Sequence, residues 1–82
     1  MNVTSKLKEI FVNIFSISPE IINDELSPDM VAKWDSLQHL NLILSIEEEF
    51  GIKIFPEEAV ELLNFGLTIR YIEEKLSQNE KK

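Results

Sequence analysis

The stretch that predicts most of this fold is Trp34-Asp35-Ser36-Leu37-Gln38-His39-Leu40-Asn41-Leu42-Ile43-Leu44. Asp35 is a favoured helix N-cap residue, and Gln38 follows three positions later, which is the capping-box spacing before an apolar run. The pattern therefore predicts an amphipathic helix that begins near Ser36. A serine at this point is exposed to solvent at the positive end of the helix dipole, where an attached anion is favoured by about 0.3–1 kcal/mol.

The predicted helix extends from Ser36 to Phe50, and Gly51 can provide its left-handed C-cap. With about 100° between successive residues, one broad apolar arc should face the core. The residues of this arc are Leu40, Leu42, Ile43, Ile46 and Phe50. Leu37 and Leu44 fall together on another side of the helix, and we interpret them as a contact patch for a partner.

An earlier helix is indicated by apolar residues at helical spacing, with Thr4 or Ser5 as its cap. These apolar residues are Leu7, Ile10, Phe11 and Ile14. The helix should end before Ser18-Pro19, because a residue that precedes proline disfavours the helical region. Residues 18–34 then form a long loop, which four side chains should pin to the core. They are Ile21, Ile22, Leu26 and Met30.

After Gly51, residues 52–55 are predicted to be an extended loop, and Pro56 should open a short helix that continues to about Leu63. Gly66 is expected to break the chain, and Thr68 to cap a last helix. The apolar stripe of that helix is Ile69, Tyr71, Ile72 and Leu76. The predicted fold class is all-α: one small domain over residues 1–82, with three main helices, one short helix, a long loop between the first two helices and a polar tail at 77–82.

Composition narrows the possible functions. The 82 residues include no cysteine and one histidine, which excludes disulfides and thiolate metal sites and disfavours a histidine-rich one. The formal net charge of −7 argues against nucleic acid as a partner, because such binding depends on Lys and Arg. No apolar run is long enough to span a membrane, and no signal peptide is recognisable, so we expect a cytoplasmic protein.

The negative charge is concentrated around Ser36. Residues 20–61 contain 11 of the 15 acidic residues but only Lys33 and Lys53 among the basic ones. Such a surface favours basic protein partners, although on charge alone a solvated face that keeps a small protein in solution is the better explanation.

Asp35, Ser36 and His39 are the residue types of a serine-hydrolase triad, but their spacing does not support catalysis. All three lie at one helix start, and a small bundle offers little room for a cleft or an oxyanion hole. We therefore interpret His39 as a partly covered structural residue that can pair with Asp35. Glu47-Glu48-Glu49 cannot converge on one metal ion, because three consecutive helical residues point in different directions. Neither catalysis nor a metal site is predicted.

These residues together resemble the acyl carrier protein family. The similarity rests on Asp35-Ser36-Leu37 at a helix start, followed by Ile46-Glu47-Glu48-Glu49-Phe50-Gly51, and it covers nearly the whole chain. The resemblance implies that Ser36 is the attachment site for 4′-phosphopantetheine, transferred from coenzyme A by a phosphopantetheinyl transferase. Acyl groups would then be carried as thioesters on the cofactor's thiol.

The resemblance also implies a partner-recognition face, formed by Asp35, Leu37, Leu44, Glu47 and Glu48. Its partners would be the transferase and acyl-loading, modifying or transferring enzymes with basic docking surfaces, and the carrier itself would be a monomer without catalysis of its own. The core between the helices can also shelter the acyl chain in this family. Candidate lining residues are Ile54, Ala59 and Leu62.

The sequence departs from carriers of fatty acid synthesis in three places. Lys33-Trp34 stands where a glycine usually precedes the motif, and Gln38 and Asn41 stand where acids are usual. These departures favour a free-standing carrier of a specialised lipid, polyketide or polysaccharide-related pathway. Two alternatives are an aminoacyl or peptidyl carrier, with the same role for Ser36, and an unmodified helical adaptor that binds through its acidic face.

Overall fold

Four α-helices form the protein, and the computed structural model describes residues 2–80. Their bounds are Val3–Phe15 (α1), Ser36–Phe50 (α2), Pro56–Ala59 (α3) and Phe65–Glu80 (α4). No strand occurs in residues 2–80. The predicted all-α class, the three main helices and the short helix are therefore confirmed.

The core lies where α1, α2 and α4 meet. Its largest fully buried side chains are Leu7, Phe11, Phe15, Leu42, Ile46, Phe65, Thr68 and Ile72. Phe11 is central, because its ring makes edge contacts with Phe15, Trp34 and Phe65 at centroid distances of 5.3, 5.3 and 5.1 Å. Such edge-to-face pairs stabilise beyond simple area burial.

Helix α1 is capped two to three residues earlier than predicted. The side chain of Asn2 accepts a hydrogen bond from the Ser5 backbone N–H at 3.1 Å, so the caps proposed at Thr4 and Ser5 are wrong. The helix ends before Ser18-Pro19, as expected, with Ser16 in the left-handed region at φ 55°. Asparagine is as good an N-cap as serine, and the sequence signal was ambiguous at this end.

The loop between α1 and α2 contains two 3₁₀ turns, Pro19–Ile21 and Pro28–Met30. Ile22 and Leu26 are buried and pin the loop, as predicted, whereas Ile21 and Met30 are exposed and do not. Each of the exposed side chains lies at the last position of a 3₁₀ turn. The tight turn therefore decides which of the neighbouring apolar residues reaches the core.

The same loop is joined to the start of α4. The backbone N–H groups of Phe65 and Gly66 donate to the carbonyls of Leu26 and Asp24, each at 3.0 Å. A Cβ at position 66 would lie 3.0 Å from the Asp24 Cβ and 3.1 Å from the Asp24 carbonyl oxygen, so this close approach favours glycine. Gly66 therefore lies inside α4 and does not break the chain before it.

The N-cap of α4 is Asn64, and the prediction for Thr68 was wrong. The Asn64 side chain accepts a hydrogen bond from the Leu67 N–H at 2.7 Å. Thr68 is fully buried inside the helix, and its hydroxyl donates to the Asn64 carbonyl at 2.8 Å. The short helix α3 also ends at Ala59 rather than near Leu63.

At its other end, α4 is longer than the sequence suggested. Residues 77–80 of the predicted polar tail continue the helix to Glu80, and residues 81–82 lie outside the described part of the chain. The predicted stripe is confirmed, because Ile72 is buried and its companions pack against the core. These companions are Ile69, Tyr71 and Leu76.

Candidate functional site

Ser36 is the first residue of α2, and it is exposed. The Asp35 carboxylate accepts a hydrogen bond from the Gln38 N–H at 2.9 Å, and the Asp35 carbonyl accepts one from the His39 N–H at 2.8 Å. In the described chain, the N–H groups of Ser36 and Leu37 donate to no protein acceptor. The serine hydroxyl therefore lies beside the open, positive end of a 15-residue helix.

Gln38 does not complete the capping box. Its side-chain amide donates to the Ile14 carbonyl of α1 at 3.3 Å, and its amide oxygen accepts from Asn41 at 2.7 Å. Gln38 thus ties the start of α2 to the end of α1, and Asn41 holds the Gln38 amide from the next turn of α2.

His39 joins three parts of the site. Its Nδ1 accepts a hydrogen bond from Trp34 Nε1 at 2.9 Å, and its Nε2 lies 2.8 Å from the Ala59 carbonyl of α3. The indole donor therefore selects the tautomer in which Nε2 carries the proton and donates to Ala59. The structural role predicted for His39 is confirmed, but the pairing with Asp35 was wrong.

This bonding leaves Ser36 without a base. Both ring nitrogens of His39 are occupied, and no hydrogen bond links His39 to Ser36 within residues 2–80. A hydrolase triad needs the base to contact the nucleophile and a third group to orient the base. The arrangement cannot activate Ser36 from within the chain.

Trp34 anchors the loop that leads to the site. The residue is only 4% exposed, and its ring packs on Phe11 and Phe15 at centroid distances of 5.3 and 5.1 Å. The His39 ring lies nearly parallel to the indole, with the centroids 6.1 Å apart, at the edge that carries Nε1. Trp34 therefore fixes the position of Asp35 and Ser36 through the aromatic core.

Two clefts open beside Ser36. The first, which we call the Trp34 cleft, has a volume of about 530 Å³ and is lined by Pro28, Trp34, Asp35, Ser36, His39, Val60 and Leu63. The second, the α2–α3 groove, has a volume of about 290 Å³, and its apolar walls are Leu40, Ile43, Leu44, Ile54, Pro56, Ala59 and Val60. Ser36 and His39 line both clefts.

Leu40 was expected in the core but is 54% exposed, and it lies at the mouth of the α2–α3 groove. It lies in the first turns of α2, at the edge of the apolar arc. Leu42, Ile43, Ile46 and Phe50 are buried as predicted. Of the suggested lining residues, Ile54 and Ala59 line the groove, whereas Leu62 is buried in the core.

The residues suggested for partner recognition lie along one side of α2. Leu37 is 67% exposed, and Asp35, Leu44 and Glu48 are also exposed. Glu47 is half-buried, and its carboxylate accepts a hydrogen bond from the Ile54 N–H at 2.8 Å. Glu47 therefore holds the loop between α2 and α3, a role that sequence spacing could not reveal.

The far wall of the groove is fixed by a network between α3 and α4. The Tyr71 hydroxyl donates to Glu58 Oε1 at 2.7 Å, and the Phe55 N–H donates to the same oxygen. Lys75 Nζ lies 3.7 Å from the other carboxylate oxygen, Oε2. The hydrogen bond from Tyr71 is the main cause that lowers the pKa of Glu58. Burial and Glu58 raise the pKa of Tyr71.

This network predicts a pH dependence of stability. Because the pKa of Glu58 is lower in the folded chain than its usual 4.5, the ionised carboxylate stabilises the fold above that value. The contribution is lost as the pH falls through the lowered folded pKa. As the pH falls from about 6 to about 3, we expect the free energy of unfolding to decrease less for Tyr71→Phe than for wild type. The variant lacks the hydrogen bond that lowers the pKa of Glu58. Urea unfolding at each pH measures the difference.

Glu58→Gln is the matched comparison for this experiment. It should reduce the acid dependence in the same way, and adding Tyr71→Phe to it should cause little further change in that dependence. Equal acid dependence of wild type and Tyr71→Phe would show that the hydrogen bond does not perturb Glu58.

The described chain contains no other recognisable chemical centre. Among residues 2–80, no three His, Asp or Glu side chains are grouped to hold a metal ion. Over the same range, no helix has the length and apolar character needed to cross a bilayer.

The fold and the site together define a small helical domain that presents one serine at a helix start. Models of known protein families give no match. The acyl carrier protein of Wolinella succinogenes is 35% identical over 75 residues, which cover 89% of this chain and 96% of that protein. The acyl carrier protein of Buchnera aphidicola subsp. Schizaphis graminum is 41% identical, over 90% of this chain and 94% of that protein.

A solved structure shows the same fold. The holo acyl carrier protein from Geobacter metallireducens superposes with a TM-score of 0.85 at 31% identity, over 99% of this chain and 93% of that one. The chain therefore belongs to the acyl carrier protein family, and its function is that of an acyl carrier.

Proposed function

We propose that Ser36 is the attachment site for 4′-phosphopantetheine. The observation that carries this proposal is the position of the serine: exposed, first in α2, and at the mouth of two clefts. The N–H groups of Ser36 and Leu37 and the helix dipole favour an attached phosphate by about 0.3–1 kcal/mol. The Geobacter metallireducens relative is described as a holo protein, which supports the same modification here.

The residues present fit this cofactor. The chain has no cysteine, and 4′-phosphopantetheine supplies the thiol on which acyl groups are held as thioesters. Asp35 caps α2 and fixes Ser36 at its start, while His39 is held by Trp34 and Ala59 and takes no proton from the serine. A separate phosphopantetheinyl transferase must therefore activate the Ser36 hydroxyl.

The α2–α3 groove offers shelter for an acyl chain. Its walls are almost entirely apolar, and it begins at Ser36. The floor is formed by Ile43 and Ile54, both buried, and the hydrogen bond from Ile54 to Glu47 holds the extended loop against α2. A chain in this groove would be withdrawn from water at a gain proportional to its buried apolar area.

We further propose that the exposed side of α2 is the docking face for the transferase and for enzymes that load, modify or transfer acyl groups. Leu37 and Leu44 supply apolar contacts, and Asp35 and Glu48 supply charge for basic surfaces. Exposed charges at an interface raise the association rate more than the affinity, which suits a carrier that must leave each partner.

Reversing one of these charges should slow docking. We expect Glu48→Lys to lower kcat/KM for transfer of phosphopantetheine severalfold at low ionic strength, with a smaller difference at high salt. Glu74→Lys on α4 makes the same change in net charge away from the docking face and is the control. Equal kcat/KM for the two variants would contradict a docking role for Glu48.

Three residues that differ from carriers of fatty acid synthesis support a proposal for the pathway that this carrier serves. Trp34, Gln38 and Asn41 build uncharged contacts at the site where carriers of fatty acid synthesis usually have glycine or acids. We propose a single-domain, monomeric, cytoplasmic carrier of a specialised lipid, polyketide or polysaccharide-related pathway. Co-purification of enzymes from the native cells, followed by mass spectrometry, would identify that pathway.

The direct test is to incubate the apo-protein with coenzyme A and a broad-specificity phosphopantetheinyl transferase, and then to measure its intact mass. We expect the gain of one phosphopantetheine per chain. An unchanged mass would favour the unmodified adaptor. If an amino-acid-activating enzyme loads the holo-protein and no acyl-activating enzyme does, the cargo is an amino acid and the aminoacyl carrier alternative is favoured.

A further inference from the structure

We propose that the Trp34 cleft binds the phosphopantetheine arm of the unloaded carrier, an inference that rests on the attachment of the arm to Ser36. The cleft volume of about 530 Å³ lies within the range of roughly 300–1,000 Å³ typical of small-molecule sites. The α2–α3 groove, at about 290 Å³, is smaller. Ser36 lines both, so a group on its hydroxyl can reach either one.

The chemistry of the walls separates the two clefts. The Trp34 cleft combines apolar surface from Pro28, Val60 and Leu63 with the exposed carboxylate of Asp35. This mixture matches an arm that contains a branched dimethyl group as well as amide N–H groups. The α2–α3 groove is more uniformly apolar, and it matches a saturated acyl chain better than it matches amides.

Exposed apolar side chains mark the Trp34 cleft as a surface that a ligand can cover. Val60 is 64% exposed and Leu63 is 48% exposed, and both lie in the segment that follows α3. Because α3 ends at Ala59, these two side chains project beside the cleft rather than into the core. Covering them with the arm would remove apolar area from water close to the attachment point.

His39 lines both clefts. Its ring is held from both sides, by Trp34 Nε1 at 2.9 Å and by the Ala59 carbonyl at 2.8 Å. The ring therefore cannot swing away without loss of a hydrogen bond. It therefore gives a fixed wall both to the cleft proposed for the resting arm and to the groove proposed for the acyl chain.

Tryptophan fluorescence can report whether the arm occupies the Trp34 cleft, because Trp34 is the only tryptophan in the chain. We expect conversion of the apo-protein to the holo-protein to change the intensity and the emission maximum of its fluorescence. Loading the holo-protein with a saturated acyl chain should return the emission toward the apo value, because the chain draws the arm into the α2–α3 groove.

Leu63→Asp is the test variant, because Leu63 lines the Trp34 cleft alone and its exposure makes the change tolerable to the fold. We expect it to lose the apo-to-holo fluorescence change. Leu67→Asp is the matched control: Leu67 is also exposed, lines neither cleft and lies in the first turn of α4. It should retain the full change.

Intact mass, measured on the same samples, separates attachment of the arm to Ser36 from binding of the arm in the Trp34 cleft. If the mass shows complete conversion but the wild-type apo and holo spectra coincide, the cleft assignment is overturned and the attachment site stands. Retention of the full fluorescence change by Leu63→Asp, or no reversal on acylation, would also overturn it. An unchanged mass overturns both.

Discussion

Ser36→Ala should abolish phosphopantetheine loading completely, since no other hydroxyl can replace the one at the start of α2. The variant should keep its fold, because the cap of α2 comes from the Asp35 carboxylate and carbonyl rather than from the serine side chain. Intact mass after incubation with coenzyme A and a transferase measures the loading. Circular dichroism and thermal unfolding check that the helices persist.

Ser27→Ala is the matched control for this substitution. Ser27 belongs to the long loop that leads to α2 and makes no side-chain cap hydrogen bond at the turn that it precedes. The control should therefore fold and accept the group as wild type does. Modification of Ser36→Ala would place the attachment site elsewhere and refute the assignment.

Phe11→Ala should lower the free energy of unfolding by about 3–5 kcal/mol. The ring is fully buried and contacts Phe15, Trp34 and Phe65, so its removal leaves a cavity where three parts of the chain meet. Domains of this kind are typically stable by only about 5–15 kcal/mol. Chemical denaturation should therefore show a midpoint at a much lower denaturant concentration than for wild type. A loss of about 5 kcal/mol would leave the variant partly unfolded even without denaturant.

Phe55→Ala removes the same side chain from a surface position, because Phe55 is about half exposed. Its structural role is carried by its backbone N–H and carbonyl, which the substitution keeps. We expect a change within roughly 0.5 kcal/mol. If Phe11→Ala and Phe55→Ala lower the free energy of unfolding by similar amounts, the aromatic cluster around Phe11 does not make the expected contribution to stability.

The helices could be predicted because their signals are local. Asp35, Gly51 and the spacing of apolar residues determine the ends and the buried face of α2, and all are visible within 17 residues of sequence. The exposure of Ser36 follows from the same pattern. The functional inference was therefore available before any tertiary contact was known.

The errors arose where distant segments meet. Gly66 looks like a break until the Asp24 backbone is seen against it, and Thr68 looks like a cap until it is seen to be buried. Asn64 was the detectable signal, because asparagine is a strong N-cap residue and immediately precedes the first residue of α4. The exposed ends of the 3₁₀ turns, Ile21 and Met30, depend on how the loop curves over the core.

The details of the site were also beyond sequence patterns. The ring of His39 bonds to Trp34, five positions earlier, and to Ala59, twenty positions later, so neither helical spacing nor charge pairing indicates it. The contact between Glu47 and the Ile54 N–H similarly depends on the course of the loop after Gly51. These contacts shape the two clefts, which is why the clefts appear only in the structure.

The claim that Ser36 carries phosphopantetheine is tested most directly on the protein isolated from its own cells. Intact mass and fragmentation should locate one phosphopantetheine per chain on Ser36, free or bearing an acyl group. A chain that is unmodified in the cell and remains so after incubation with coenzyme A and a transferase would contradict the account, as would a phosphopantetheine on any other residue.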